Sequence, residues 1–62
     1  MEVKDKLLLI RARLHLSQEA LARELNVSFS TVNRWEKGKS VPQKRYEVAI
    51  EDFGKQNGIT FD

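Results

Sequence analysis

The sequence contains no cysteine, one histidine, one proline and three glycines in 62 residues. Without cysteine there can be no disulfide and no thiolate metal site, a pattern that fits a reducing cytosol. The lone His15 cannot build a multi-histidine metal site, and it has no serine or acid partner at a spacing that would make a catalytic pair. A glycine-rich phosphate loop is absent too. The longest apolar run, residues 7–10, falls far short of a membrane span or a signal segment. A chain this short buries only about 60% of the surface it exposes when unfolded. That leaves no room for both a core and a deep substrate pocket. The expectation is one domain over residues 1–62, cytoplasmic, not an enzyme, and without metal, cofactor or membrane contact.

Charge is uneven along the chain. Residues 1–27 carry a net +1, residues 28–46 carry +4, and residues 47–62 carry −3. The central block holds Arg34, Lys37, Lys39, Lys44 and Arg45 against Glu36 alone. Chance clustering on a solvated surface is the plain explanation. An electrostatic footprint for an anionic partner is the sharper one.

Apolar spacing predicts four helices. Val3, Leu7, Ile10 and Leu14 stripe a first helix over residues 2–14, with Leu8 and Leu9 pointing away. His15, a residue type enriched at positive φ, is placed to end it. Ser17 is a good N-cap for a second helix with Leu21, Ala22 and Leu25 inside, ending at Asn26. Val27 tucks under the turn. Ser28 caps a third helix over residues 28–37 with Val32 and Trp35 inside, stopped by Gly38. After a loop at residues 39–42, Pro42 leads into a last helix over residues 43–56. Tyr46, Ala49, Ile50 and Phe53 form its inner stripe and Val48 points out. Gly54 costs roughly 1 kcal/mol against alanine in a helix, so this end is expected to fray. Gly58 stops it and residues 59–62 form a short tail. Glu51 and Asp52 sit on a solvated face. The fold class is all-α, a compact four-helix domain.

Residues 17–37 also meet the requirements of a helix-turn-helix. A small residue, Ala22, sits where the backbones must approach. Asn26 can take the unusual backbone conformation in the turn. Leu21, Leu25, Val27, Val32 and Trp35 hold the pair against the other helices. Geometry alone does not establish DNA binding, because structural helical hairpins share it.

The pieces Ser17-Gln18, Leu21-Ala22, Ser28, Ser30-Thr31-Val32, Trp35-Glu36, Gly38-Lys39 and Pro42 together resemble the helix-turn-helix of the Cro and phage-repressor family. The resemblance covers about residues 3–55, and His15 and Asn26 depart from it where the family prefers glycine. It implies sequence-specific binding of double-stranded DNA by a transcriptional regulator, with helix 28–37 in the major groove. Phe29, Ser30 and Arg34 match positions that reach base edges, with Thr31 and Asn33 near the backbone or groove wall. Gln18, Ser28, Lys39 and Lys44 match phosphate contacts, and Arg11 matches a position that pairs with Glu36.

Residue chemistry points the same way. Phe29, Ser30, Asn33, Arg34 and Lys37 lie off the Val32/Trp35 face. Arginine offers a fork for guanine, serine is permissive, and a phenyl ring can pack on thymine methyls. Sequence choice is therefore assigned to Phe29, Ser30, Asn33 and Arg34, with Thr31 among the phosphate contacts. Phe29 has an alternative as core packing against the last helix. A rival function is a protein-binding module, such as a toxin-neutralising antitoxin or a segment of a larger assembly, using Leu8, Leu9 and Val48. The resemblance also implies a homodimer, brought together by Leu8 and Leu9, by the tail or by DNA, unless the chain is one piece of a longer protein.

Overall fold

The four apolar stripes become four α-helices in the computed structural model, which describes residues 1–61: α1 (Val3–Leu14), α2 (Gln18–Leu25), α3 (Phe29–Glu36) and α4 (Lys44–Gln56). Local chemistry explains most of the boundaries. Ser17 Oγ accepts a hydrogen bond from the Ala20 amide at 3.0 Å, and Ser28 Oγ accepts one from the Thr31 amide at 3.2 Å. Each hydroxyl satisfies an amide that the first helical turn leaves without a partner. His15 and Asn26 take left-handed backbone conformations with φ of 55° and 62°. They reverse the chain so that the Leu16 amide reaches Arg11 O and the Val27 amide reaches Ala22 O, both at 3.0 Å. Gly38, at φ 74°, ends α3 the same way. Its own amide bonds Trp35 O at 3.1 Å while the Lys39 amide bonds Arg34 O at 3.0 Å, so two terminal carbonyls of α3 are satisfied.

All four helices contribute to one core. Leu7 and Ile10 come from α1, Leu21, Ala22 and Leu25 from α2, Val32 and Trp35 from α3, and Ile50 from α4. Burying a side chain of this size stabilises by about 1.5–3 kcal/mol, so a domain this small depends on each of them. Ala22 lies buried on α2, which packs directly on α3. The Trp35 ring tilts at 49° against Tyr46 with centroids 5.6 Å apart, tying α3 to the start of α4.

Two expectations need correction. Leu9 does not point away; it is half-buried against the core, because α1 packs on both α3 and α4 and so buries a wider arc than one stripe. The end of α4 does not fray at Gly54. That glycine is buried, and a Cβ there would lie 2.7 Å from Cε2 of Phe61, so the missing side chain makes room for the ring. The short tail after Gly58 turns back onto the core. The Ile59 amide bonds Gly54 O at 2.9 Å, Ile59 is buried in the core, and Phe61 packs against it. Asp62 lies outside the described residues. Leu8 and Val48 are exposed, as their register predicts.

Lys6 closes this end of the molecule. Its ammonium bonds the Glu51 carboxylate and stands 5.7 Å from the centroid of the Phe61 ring. The hydrogen bond from Lys6, and then its charge, hold the Glu51 carboxyl below the ordinary glutamate value. A lowered folded-state pKa stabilises above the ordinary value and is lost as pH falls through the folded one. Glu51→Gln should therefore lower the melting temperature modestly at neutral pH. The gap to the unsubstituted protein should close in acid, below the ordinary glutamate range. Thermal melts across that range check it; a gap independent of pH would show that the pair does not act through charge.

Candidate nucleic-acid interface

The two faces of α3 do different work. Val32 and Trp35 point into the core, while Phe29, Ser30, Arg34 and Lys37 are exposed and Thr31 and Asn33 are half-buried. Phe29 is 52% exposed and is absent from the packing against α4, so its ring projects into solvent. At the amino end of α3 three hydroxyls gather. Ser28 Oγ lies 2.8 Å from Thr31 Oγ1 and 3.1 Å from Ser30 Oγ, in addition to capping the helix. Beside them an open cleft of about 410 Å³ separates the start of α3 from the start of α4 and is lined by Ser28, Thr31, Arg34, Gln43 and Tyr46, among others.

Behind this surface runs a chain of polar side chains. Arg11 donates from Nη1 to Glu36 Oε1 at 3.0 Å and from Nε to Leu16 O at 3.2 Å. Gln18 Nε2 donates to the same Glu36 oxygen at 2.8 Å. Gln18 Oε1 in turn accepts from Asn33 Nδ2 at 3.1 Å. Glu36 is thus the hub where α1, α2 and α3 meet. Its side chain is only 6% exposed, and its Oε2 is buried without a partner among the described residues.

The basic residues stand at the edges. Lys39 is exposed immediately after the glycine stop. Lys44 opens α4 with its side chain 84% exposed, 3.4 Å from Glu47 Oε1. Arg45 lies over the Tyr46 ring at 4.8 Å, a cation–π placement that adjacent positions in the sequence do not announce. The fold therefore brings Gln18, Asn33, Glu36 and Arg11 into one network and Ser28, Ser30 and Thr31 into one cluster. Phe29 and Arg34 are left free on the outer face of α3, with Lys39 and Lys44 on its flanks. Gln18 and Asn33 join the Arg11–Glu36 pair, a participation outside the roles their positions suggest in the sequence. Asn33 and Glu36 are three apart on α3 and so share a face, which was the available clue. Among the described residues no group of His, Asp or Glu is arranged to hold a metal ion, and no helix is long and apolar enough to cross a membrane.

Comparison with known proteins agrees with this architecture. The Helix-turn-helix family matches residues 7–53. The HTH-type transcriptional activator BcrR of Enterococcus faecalis is 38% identical over 53 residues, which is 86% of this chain and 26% of that protein. The chain thus spans about a quarter of the length of this relative. No solved structure matches it. With the matched region running from the middle of α1 to near the end of α4, the chain belongs to the helix-turn-helix family of the Cro and phage-repressor type.

Proposed function

We propose that this domain binds double-stranded DNA in a sequence-specific way, as the DNA-binding part of a cytoplasmic transcriptional regulator, with α3 inserted in the major groove. The observation that carries the reading is the division of labour on α3. Its inner face is locked to the core by Val32 and Trp35, while Phe29, Ser30 and Arg34 project outward with no packing role. A helix with its side chains is about 10–12 Å across, the width of the B-DNA major groove.

Roles follow from position and chemistry. Arg34 reads guanine through O6 and N7, Phe29 packs on a thymine methyl, and Ser30 and Asn33 complete the base-reading set. Ser28 and Thr31 meet a phosphate at the amino end of α3, where the helix dipole favours an anion. Gln18, Lys39 and Lys44 hold the flanking phosphates and fix register, and those phosphate contacts themselves carry no sequence information. Arg11 and Glu36 hold α1 against α3 and do not touch DNA. That the relative is named a transcriptional activator supports a regulatory role here too.

Selection of bound sites from random duplex DNA tests the proposal. Enrichment of a defined motif is expected, and an inverted repeat would add that two copies bind together, with half-sites about one helical turn apart. Failure to enrich any duplex, with a small protein co-purifying instead, would replace DNA by a protein partner.

A further inference from the structure

We infer that Gln18 and Glu36 act as an orienting relay that fixes which end of the Asn33 amide faces the groove, making Asn33 a reader of amine-bearing bases. The inference rests on the DNA-binding reading above and goes one step beyond it, from a residue that touches a base to the kind of base it accepts.

An amide side chain has one end that accepts and one that donates, and its two orientations differ only in which end points where. An ionised carboxylate accepts only. Glu36 Oε1 lies 2.8 Å from the Gln18 amide and also takes a hydrogen bond from Arg11. Gln18 must therefore present Nε2 to Glu36, because the reverse orientation would set oxygen against oxygen. Its Oε1 is then committed to the side of Asn33, 3.1 Å from Asn33 Nδ2. Asn33 in turn must present its nitrogen inward. Its Oδ1 is left over: it has no partner among the described residues and is not among the buried unpaired atoms. The charge at Glu36 thus sets the polarity of Asn33 through one intervening amide.

The consequence lies in the groove. With Oδ1 outward and one N–H already used, Asn33 offers an acceptor and a single remaining donor. Adenine, with its N6 amine beside N7, and cytosine, with its N4 amine, both supply the donor that Oδ1 needs. Guanine and thymine present O6 or O4 there, oxygen against oxygen. An asparagine free to turn over would accept either class. Gln18 is therefore a positioning residue for base choice, apart from any phosphate it holds.

The test uses site selection with the intact chain and two variants. Asn33→Ala identifies the position in the motif that Asn33 reads, by erasing the preference there. At that position the unsubstituted protein should favour adenine or cytosine over guanine or thymine on the order of tenfold. Gln18→Met should reduce that preference to within about threefold, because the amide can then turn over. Preferences set elsewhere in the motif should stay as they were, even as overall affinity falls with the loss of a phosphate contact. A helical circular dichroism spectrum for Gln18→Met shows that the fold persists, as expected for a half-buried surface residue. Two results overturn the relay while leaving DNA binding intact: guanine or thymine preferred at the Asn33 position, or a Gln18→Met motif unchanged there. A merely structural Gln18 would weaken all sites equally and alter no single position. Absence of any enriched motif with the unsubstituted protein overturns the DNA-binding reading and the relay with it.

Discussion

Replacing Arg11 by methionine should cost about 3 kcal/mol of stability, and replacing its partner Glu36 by methionine should cost only about half as much. The pair is asymmetric. The Glu36 side chain is 6% exposed, whereas that of Arg11 is 28% exposed. Removing Arg11 strands a buried carboxylate whose Oε2 already lacks a partner, leaving only the neutral donor of Gln18. Removing Glu36 leaves a guanidinium that still donates to Leu16 O and can reach water. A domain of this size is stable by only about 3–9 kcal/mol at typical values per residue. The loss at Arg11 should therefore bring the protein close to its unfolding threshold at ordinary temperature. The double variant should be more stable than Arg11→Met alone, since the stranded charge is gone. Urea unfolding of the four proteins measures this; equal single effects that simply add would contradict the burial argument.

Arg34→Ala should weaken binding to the preferred duplex by about 1–3 kcal/mol, roughly fivefold to more than a hundredfold, and relax the preference at one base pair. Arg34 is exposed on the outer face of α3 and makes no side-chain hydrogen bond or ion pair among the described residues, so its truncation should leave the melting temperature nearly unchanged. That separates it from Arg11, whose loss acts through folding. Binding titrations against the preferred duplex and its single-base variants check the expectation. A uniform loss over all sequences would reassign Arg34 to a phosphate, and the salt dependence of affinity would then fall by about one contact.

How far the sequence reveals this molecule depends on how local each cause is. Ser17, Ser28, His15, Asn26 and Gly38 act through their own backbone and the next few amides, so the helix boundaries could be read without knowing the fold. Val32 and Trp35 declare the inner face of α3 by spacing alone. Gly54 could not be read this way. Its value lies in a contact with Phe61 made after the chain has turned back, and a glycine seen only against its helix looks like a weakness. Leu9 falls outside the single stripe because one stripe describes a helix packed on one neighbour, and α1 has two. At the candidate site, Phe29, Ser30 and Arg34 are where their register put them. Gln18 and Asn33 are different. Their link to Glu36 joins three positions on two helices, and helical spacing relates only Asn33 to Glu36. The crossing of α2 over α3 brings Gln18 between them, and that crossing is a product of the core rather than of any one segment.

Guanine N7 lies in the major groove, so its methylation in the presence of protein reports directly on whether α3 enters there. The preferred duplex, probed with dimethyl sulfate, should show guanine N7 protected at the position assigned to Arg34, with adenine N3 in the minor groove still reactive. Arg34→Ala should lose that protection while remaining folded. Full reactivity of every guanine N7 in the saturated complex, or protection confined to the minor groove, would contradict the placement of α3 on which the account depends.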